Sequence, residues 1–252
     1  KNDTKDLRFF KGGFTEAARI DSSGNVGIGT TSPNHALSVG STSVATSIIS
    51  VLGSSSGFPQ IRFSDDTSES GQGRVFYDSA NDAMGFSTSG SERMRIDSSG
   101  RVTMPYQPAF EATVGTAFTG NGTVSGSETF IFSNARVNVG SHYNTSTGIF
   151  TAPVTGLYQI NYFLNPSSSN VTARYFRAKL IKTSGGTDTD IYNAHCTINN
   201  PAGDADYNIV SASGVVSLTA NDTLKVVFGS SLATSNYTFY VNLASFSGYL
   251  IG

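Results

Sequence analysis

Charge is scarce in this sequence: Asp, Glu, Lys and Arg make up 13% of 252 residues, about half the usual share of a soluble domain. Exposed helix faces are normally filled with Glu, Lys and Arg, so the shortage argues against a helical protein. A net charge of -2 leaves no basic field for a phosphate backbone or an anionic surface, so neither nucleic acid nor membrane is an expected partner. Apolar runs such as Ile48-Ile49 and Val215-Val216 fall far below the roughly 20 residues of a spanning helix. Tryptophan is absent and Cys196 is the only cysteine, which excludes an intrachain disulfide and a cysteine-based zinc site. Stability has to come from packing and assembly. The sequence opens at Lys1-Asn2-Asp3 without an initiator Met or a charged-then-apolar leader, and is expected to continue upstream.

What the chain has instead is 27 glycines, Ser and Thr throughout, and an internal repeat. Glu16-Ala17-Ala18-Arg19-Ile20-Asp21-Ser22-Ser23-Gly24-Asn25-Val26 returns as Glu92-Arg93-Met94-Arg95-Ile96-Asp97-Ser98-Ser99-Gly100-Arg101-Val102. A weaker echo precedes each copy, Leu7-Arg8-Phe9 answering Ile61-Arg62-Phe63 and Phe14 answering Phe86. An apolar residue, an Asp-Ser-Ser-Gly turn and a second apolar residue are the grammar of a β-hairpin, with Gly24 and Gly100 free to take positive φ. Short hairpins with Ser facing outward cannot offset the entropy of ordering their own chain, so they need neighbours. Residues 1–107 are therefore expected to form a β-rich shaft in which identical chains supply each other's core. The plainer reading, a Gly/Ser linker, conflicts with the regular recurrence of Ile20, Val26, Ile28, Leu37 and Val39.

From Pro108 the texture changes. Gly156 to Leu164 alternates so that Tyr158, Ile160, Tyr162 and Leu164 share one face. Tyr237, Phe239, Val241 and Leu243 do the same in what reads as the last strand, opposite Thr238 and Asn242. Between them lie further strand candidates, 174–182, 208–218 and 223–229. The prediction is an all-β chain, a repeat-containing β-rich fibre shaft followed by a jelly-roll β-sandwich head over 108–252.

Within this second region Phe132, Asn138, Tyr143, Phe150, Gly156, Tyr158 and Tyr162 stand at the order and spacing of the globular-head signature of the complement component 1q family. The frame from Tyr143 to Pro153 and Gly156-Leu157-Tyr158 also resembles that family. So do Pro108-Ala109-Phe110-Glu111-Ala112 as a first strand and Ser245 to Leu250 as a last. Ile160 stands where the family usually has Phe, and no Gly-X-Y stalk precedes the head. The repeated Arg-Ile-Asp-Ser-Ser-Gly unit, with Val26-Gly27-Ile28-Gly29-Thr30-Thr31-Ser32-Pro33, resembles shaft repeats of bacteriophage tail fibres. These resemblances imply a homotrimer in both parts, with Leu157, Phe163 and Tyr240, on strand faces opposite the core sets, as interface candidates.

No enzyme motif is expected. His35, His142 and His195 are the only histidines, and none lies in a nucleophile-elbow or zinc-helix context. His195 and Cys196 are strand neighbours that point opposite ways, so the expected pair is a buried thiol beside a surface imidazole. Gly27-x-Gly29 lacks a third glycine and runs into Pro33. Two acidic clusters, Asp188-Thr189-Asp190 and Asp204-Ala205-Asp206, are read as loops. Asp204 and Asp206 are the candidate calcium ligands, with a solvated turn as the plainer alternative and no cofactor required. Asn-x-Ser/Thr triplets, as at Asn121 and Asn144, follow from composition. Recognition is expected on head loops 165–172, 184–190 and 199–207, whose polar residues, Asp190 among them, combine with nearby Tyr192 and Tyr207 into a surface suited to sugars. The expected function is a phage tail fibre segment on the virion, joined to other tail proteins through its upstream part. Its head would bind a host surface receptor, a glycan rather than a protein. A capsid or neck fibre is the structural alternative and a glycan-cleaving fibre the weakest.

Overall fold

The computed structural model describes residues 6–40, 49–64, 73–121, 125–168, 175–197, 206–207, 209–230 and 236–252, and every regular element among them is a strand. The chain divides into two compact units, Lys1–Thr103 and Met104–Gly252. In the first, β1 (Leu7–Lys11), β2 (Thr15–Ile20), β3 (Val26–Ile28) and β4 (Leu37–Val39) form one sheet in chain order, closing on a parallel β3–β4 pair. A second sheet holds β5 (Gln60–Phe63), β6 (Gly73–Asp78), β7 (Ala83–Thr88), β8 (Ser91–Ile96) and β9 (Val102–Thr103) as an antiparallel meander.

The sequence repeat is a structural repeat. Asp21 Oδ1 accepts the backbone N–H groups of Ser23 and Asn25 at 2.8 and 2.9 Å, and Asp97 Oδ1 accepts those of Ser99 and Arg101 at 2.9 and 3.0 Å. Gly24 and Gly100 complete the two turns at φ +84° and +80°. Glu16 holds Arg19 by two bonds at 2.5 and 2.8 Å, and Glu92 holds Arg95 at 2.8 and 2.7 Å. A second carboxylate reaches each arginine from a different place in the chain, Asp6 before β1 at 2.9 Å and Asp78 at the end of β6 at 3.1 Å.

The register corrects the weaker echo. Leu7 pairs with Ile20 and a bulge follows Phe9, just as Met84 pairs with Ile96 and a bulge follows Phe86. Leu7-Arg8-Phe9 therefore answers Met84-Gly85-Phe86, not Ile61-Arg62-Phe63, and Phe14 lies in the exposed β1–β2 loop. That loop, Gly12-Gly13-Phe14 against Ser89-Gly90 in the other copy, is one residue longer, which hides the match at constant spacing. Leu7, Phe9, Phe10, Ile28 and Leu37 are each roughly half exposed.

The second unit follows with β10 (Ala109–Thr113), β11 (Phe118–Asn121), β12 (Ser125–Thr129), β13 (Asn134–Val139), β14 (Tyr143–Asn144), β15 (Ile149–Thr151) and β16 (Gly156–Leu164). Next come β17 (Ser167–Ser168), β18 (Tyr175–Ser184), β19 (Thr187–Thr197), β20 (Asp206–Tyr207), β21 (Val210–Leu218), β22 (Thr223–Ser230), β23 (Asn236–Phe239) and β24 (Ala244–Leu250). One sheet runs β13-β10-β24-β16-β21 and the facing one β14-β15-β22-β18-β19, with β12 also on β22 and a smaller β11-β23-β17-β20 sheet beside them. The first and last long strands are neighbours and the chain crosses repeatedly between sheets: a jelly roll. Their inner faces bury an aromatic core. Phe110 stacks on Phe150 at 4.5 Å between ring centroids and meets Phe246 edge-on at 4.9 Å. Tyr158, Ile160, Tyr162 and Leu164 all point into it.

Two expectations fail. The alternation through Val241 and Leu243 is not the last strand: β23 stops at Phe239, Leu243 N–H donates to Tyr240 O at 3.2 Å, and Asn242 takes φ +63°. This turn leaves Val241 exposed. The predicted loop 184–190 is only the turn Gly185-Gly186, at φ +55° and +83°. Two consecutive positive φ values suit the right-handed twist of a hairpin, so the missed strand β19 begins at Thr187.

Candidate functional site

A shallow groove of about 450 Å³ opens on β18 and β19, lined by Tyr175, Arg177, Asn193 and His195. Strand alternation makes it. Phe176, Ala178 and Leu180 point into the core with no exposed surface, which turns Tyr175, Arg177 and Lys179 outward on β18. The antiparallel register sets Arg177 opposite His195 and Lys179 opposite Asn193. Cys196, on the inward side, packs against the core, and burial raises its thiol pKa. Lys179 is ion-paired with Asp190. Arg177 Nε, by contrast, is buried with no hydrogen-bond partner among the described residues. The groove thus offers a guanidinium, an amide, an imidazole and a phenol, and none of its lining side chains is acidic.

The acidic clusters behave otherwise than expected. Asp188 and Asp190 lie on β19 rather than in a loop. Asp188 takes Lys225 Nζ at 2.8 Å and the Thr183 hydroxyl at 2.6 Å, and these two partners lower its pKa. Both carboxylates are committed to lysines. Asp204 lies outside the described residues. Asp206 and Tyr207 form β20, pairing with Ser168 and Ser167, so their backbone is a strand rather than a loop; their side chains lie outside the described residues. Tyr192 is half-buried on β19 against the core, and its hydroxyl reaches Val215 O at 3.4 Å. Neither Asp190 nor Tyr192 lines the groove; Asp190 is paired with Lys179, which stands opposite Asn193.

Leu157 and Phe163 lie on the outer face of the five-stranded sheet, where Leu157 is 48% exposed. Tyr240 is exposed but belongs to the turn after β23, not to a strand face. Phe176-Arg177-Ala178-Lys179-Leu180, within the expected strand 174–182, alternates between core and charge and so turns Arg177 outward; what the sequence does not show is the pairing that sets His195 opposite it.

The spaced signature residues each have a structural task. Asn138 closes a loop on Tyr143, donating from Nδ2 to its carbonyl at 2.8 Å and accepting its N–H at 3.0 Å. The Tyr143 hydroxyl donates to Phe132 O at 3.1 Å, that of Tyr158 to Val154 O at 2.8 Å, and that of Tyr162 to Ala178 O at 3.0 Å. Burial pushes the Tyr162 phenol up to about 12. Gly156 admits the chain end: a Cβ there would meet Gly252 O at 2.8 Å. The family model described as the C1q domain matches residues 109–251, more than half of the chain. The chain belongs to the C1q family.

Solved structures similar to this C1q domain include the globular domain of zebrafish complement 1qA, at 18% identity and TM-score 0.41, over 58% of this chain and 98% of that one. Eiger TNF from S. frugiperda is similar at 12% identity and TM-score 0.47, over 58% and 93%. Murine APRIL is similar at 11% and 0.41, over 57% and 99%. No curated protein matches the sequence significantly. The groove lies on the C1q sheet that carries β18 and β19, and Leu157 and Phe163 lie on the other.

Proposed function

We propose that this chain is a segment of a bacteriophage tail fibre on the virion, and that its C1q head, as a homotrimer, binds a host cell-surface glycan during adsorption. The observation that carries the reading is the joining, in one chain, of a twice-built Asp-turn hairpin module to a C1q domain. Domains of the C1q and tumour necrosis factor group are in general binding domains rather than enzymes, and their homologues are homotrimeric. Trimer formation is further supported by half-exposed Leu7, Phe9, Phe10 and Leu37 in the hairpin unit and by Leu157, Val215 and Tyr249 on the C1q domain. Apolar surface of this kind is normally covered by a partner. A sandwich commits its inner faces to packing, so specific contact falls to outward polar features such as the groove.

The test is competition. The purified chain, added to host cells before the virus, is expected to reduce adsorption in a saturable way, and antibody to the C1q domain should label tail fibres in electron micrographs. Labelling of the capsid or neck, with no competition, would replace receptor binding by a structural fibre role.

A further inference from the structure

We propose that the groove formed by Tyr175, Arg177, Asn193 and His195 is a subsite for an acidic sugar residue, which deepens and rests on the glycan-binding reading above. Arg177 carries the proposal. Its Nε is buried with no acceptor among the described residues, so the strand's own groups leave the guanidinium unmatched on that side, and a ligand in the groove it lines would meet its terminal nitrogens. A guanidinium only donates, so the missing group is an oxygen, and its fixed charge favours a carboxylate or another oxyanion. Nothing in the lining supplies one, since none of its side chains is acidic. The nearest outward-facing cation on β18, Lys179, is already matched by Asp190. Among the described residues of β18, Arg177 is the positive charge with no acidic partner.

Charge alone would suit any small anion; the other three residues select a sugar. Tyr175, two residues before Arg177 on the same strand face, brings an aromatic ring on which the apolar face of a pyranose can stack. Asn193 has both a donor and an acceptor, and His195 adds two ring nitrogens, matching neighbouring hydroxyls. The volume, about 450 Å³, falls within the range of a few hundred Å³ usual for small-molecule sites. Its walls are prearranged, because β18 and β19 pair along their whole length and the intervening side chains are locked in the core.

Calorimetry on the full chain tests this with oligogalacturonate and with the same oligomer after reduction of its carboxylates to alcohols. The charged oligomer is expected to bind at least tenfold more tightly than the reduced one. Arg177→Gln should abolish that preference, Arg177→Lys should restore part of it, and Tyr175→Ala should weaken both ligands. Should Arg177→Gln fail to fold, Asn193→Asp, at an exposed position, places a repelling carboxylate in the groove and should remove the preference equally. Equal affinity for the two oligomers, or binding of neither, overturns the subsite. Inorganic phosphate competing as well as the charged oligomer also overturns it, leaving a simple anion site. The two readings fail separately. Host-cell binding unchanged by Arg177→Gln would keep adhesion and reject the subsite, whereas oligogalacturonate binding by a chain that adheres to no host cell would keep the subsite and reject adhesion.

Discussion

The Tyr192 hydroxyl lies over Gly214, so close that a Cβ on Gly214 would come within 2.0 Å of the phenol oxygen and 2.7 Å of Cζ. Tyr192 belongs to β19 and Gly214 to β21, the end strands of the two facing sheets, so this contact joins the sheets along one side of the sandwich. Glycine is needed here for the missing side chain, since its φ is not left-handed. Gly214→Ala is expected to displace the ring and cost about 1–3 kcal/mol, the usual range for overpacking. Adding Tyr192→Ala should make the double variant more stable than the sum of the single losses, because the clash is gone. Urea denaturation checks both, and an unchanged midpoint for Gly214→Ala would mean the ring is not seated there.

Asp222 provides a pH-dependent clasp at the β21–β22 turn. It takes Lys182 Nζ at 2.8 Å and the Thr219 N–H at 2.8 Å while almost wholly buried. The Lys182 ammonium, then the Ser184 hydroxyl and the Thr219 N–H, lower its pKa from 3.8 to about 2. A carboxyl depressed in the folded state stabilises above its unfolded value and loses that contribution as pH falls through the folded one. Melting temperature should therefore drop between pH 3.8 and about 2. Asp222→Asn should lower it at neutral pH and flatten that acid limb; an unaltered acid limb in the variant would assign the acid sensitivity elsewhere.

The sequence was readable where one physical rule acted alone. Asp21 and Asp97 make the same turn because the same short-range bonds act in each, and the β16 alternation survives because one face of that strand is entirely core. Reading failed where two rules competed. Tyr237 to Leu243 keeps the period of a strand, yet Asn242 adopts positive φ and reverses the chain, an event that a period of two cannot express. Asp188 and Asp190 have loop-like composition, but Gly185-Gly186 alone makes the turn and Lys225 and Lys179 neutralise the acids on a strand. The groove needed Arg177 and His195 side by side, and only the register of β18 with β19 shows that.

The two Asp turns should respond alike to substitution. Gly24 and Gly100 have nearly the same positive φ, and a Cβ at either would meet nothing within 4 Å. Only backbone conformation opposes a side chain, so Gly24→Ala and Gly100→Ala are each expected to cost about 1–2 kcal/mol. Gly85→Ala should cost more, since its Cβ would come within 2.1 Å of the Phe76 ring. Scanning calorimetry of the three variants checks the order, and a large difference between Gly24→Ala and Gly100→Ala would show that the copies are not equivalent.

The outer face of the five-stranded C1q sheet decides the assembly prediction. Register aligns Ala109, Tyr249, Gln159 and Val215 in one row and Glu111, Ser247, Asn161 and Ser213 in the next. In these rows Gln159 Nε2 donates to Asn161 Oδ1 and Ser213 Oγ, each at 3.1 Å, and Ser213 Oγ donates to Asn161 Oδ1 at 2.6 Å. Gln159, Asn161 and Ser213 are matched to one another within the sheet, so covering them leaves few of their bonds unmade. Tyr249 and Val215, each 51% exposed, and Leu157 at 48% supply the apolar area that gains from being covered. If three copies share this face, Leu157→Asp with Val215→Asp should bury carboxylates without partners and release monomers. Phe163→Ala should weaken the trimer less, because Phe163 is already partly covered in one chain. Tyr240→Ala, in the turn beyond the sheet, should leave the mass unchanged. Light scattering at micromolar concentration reads all four proteins, and a stable folded monomer for the unaltered chain would refute the trimer and remove this face as an interface.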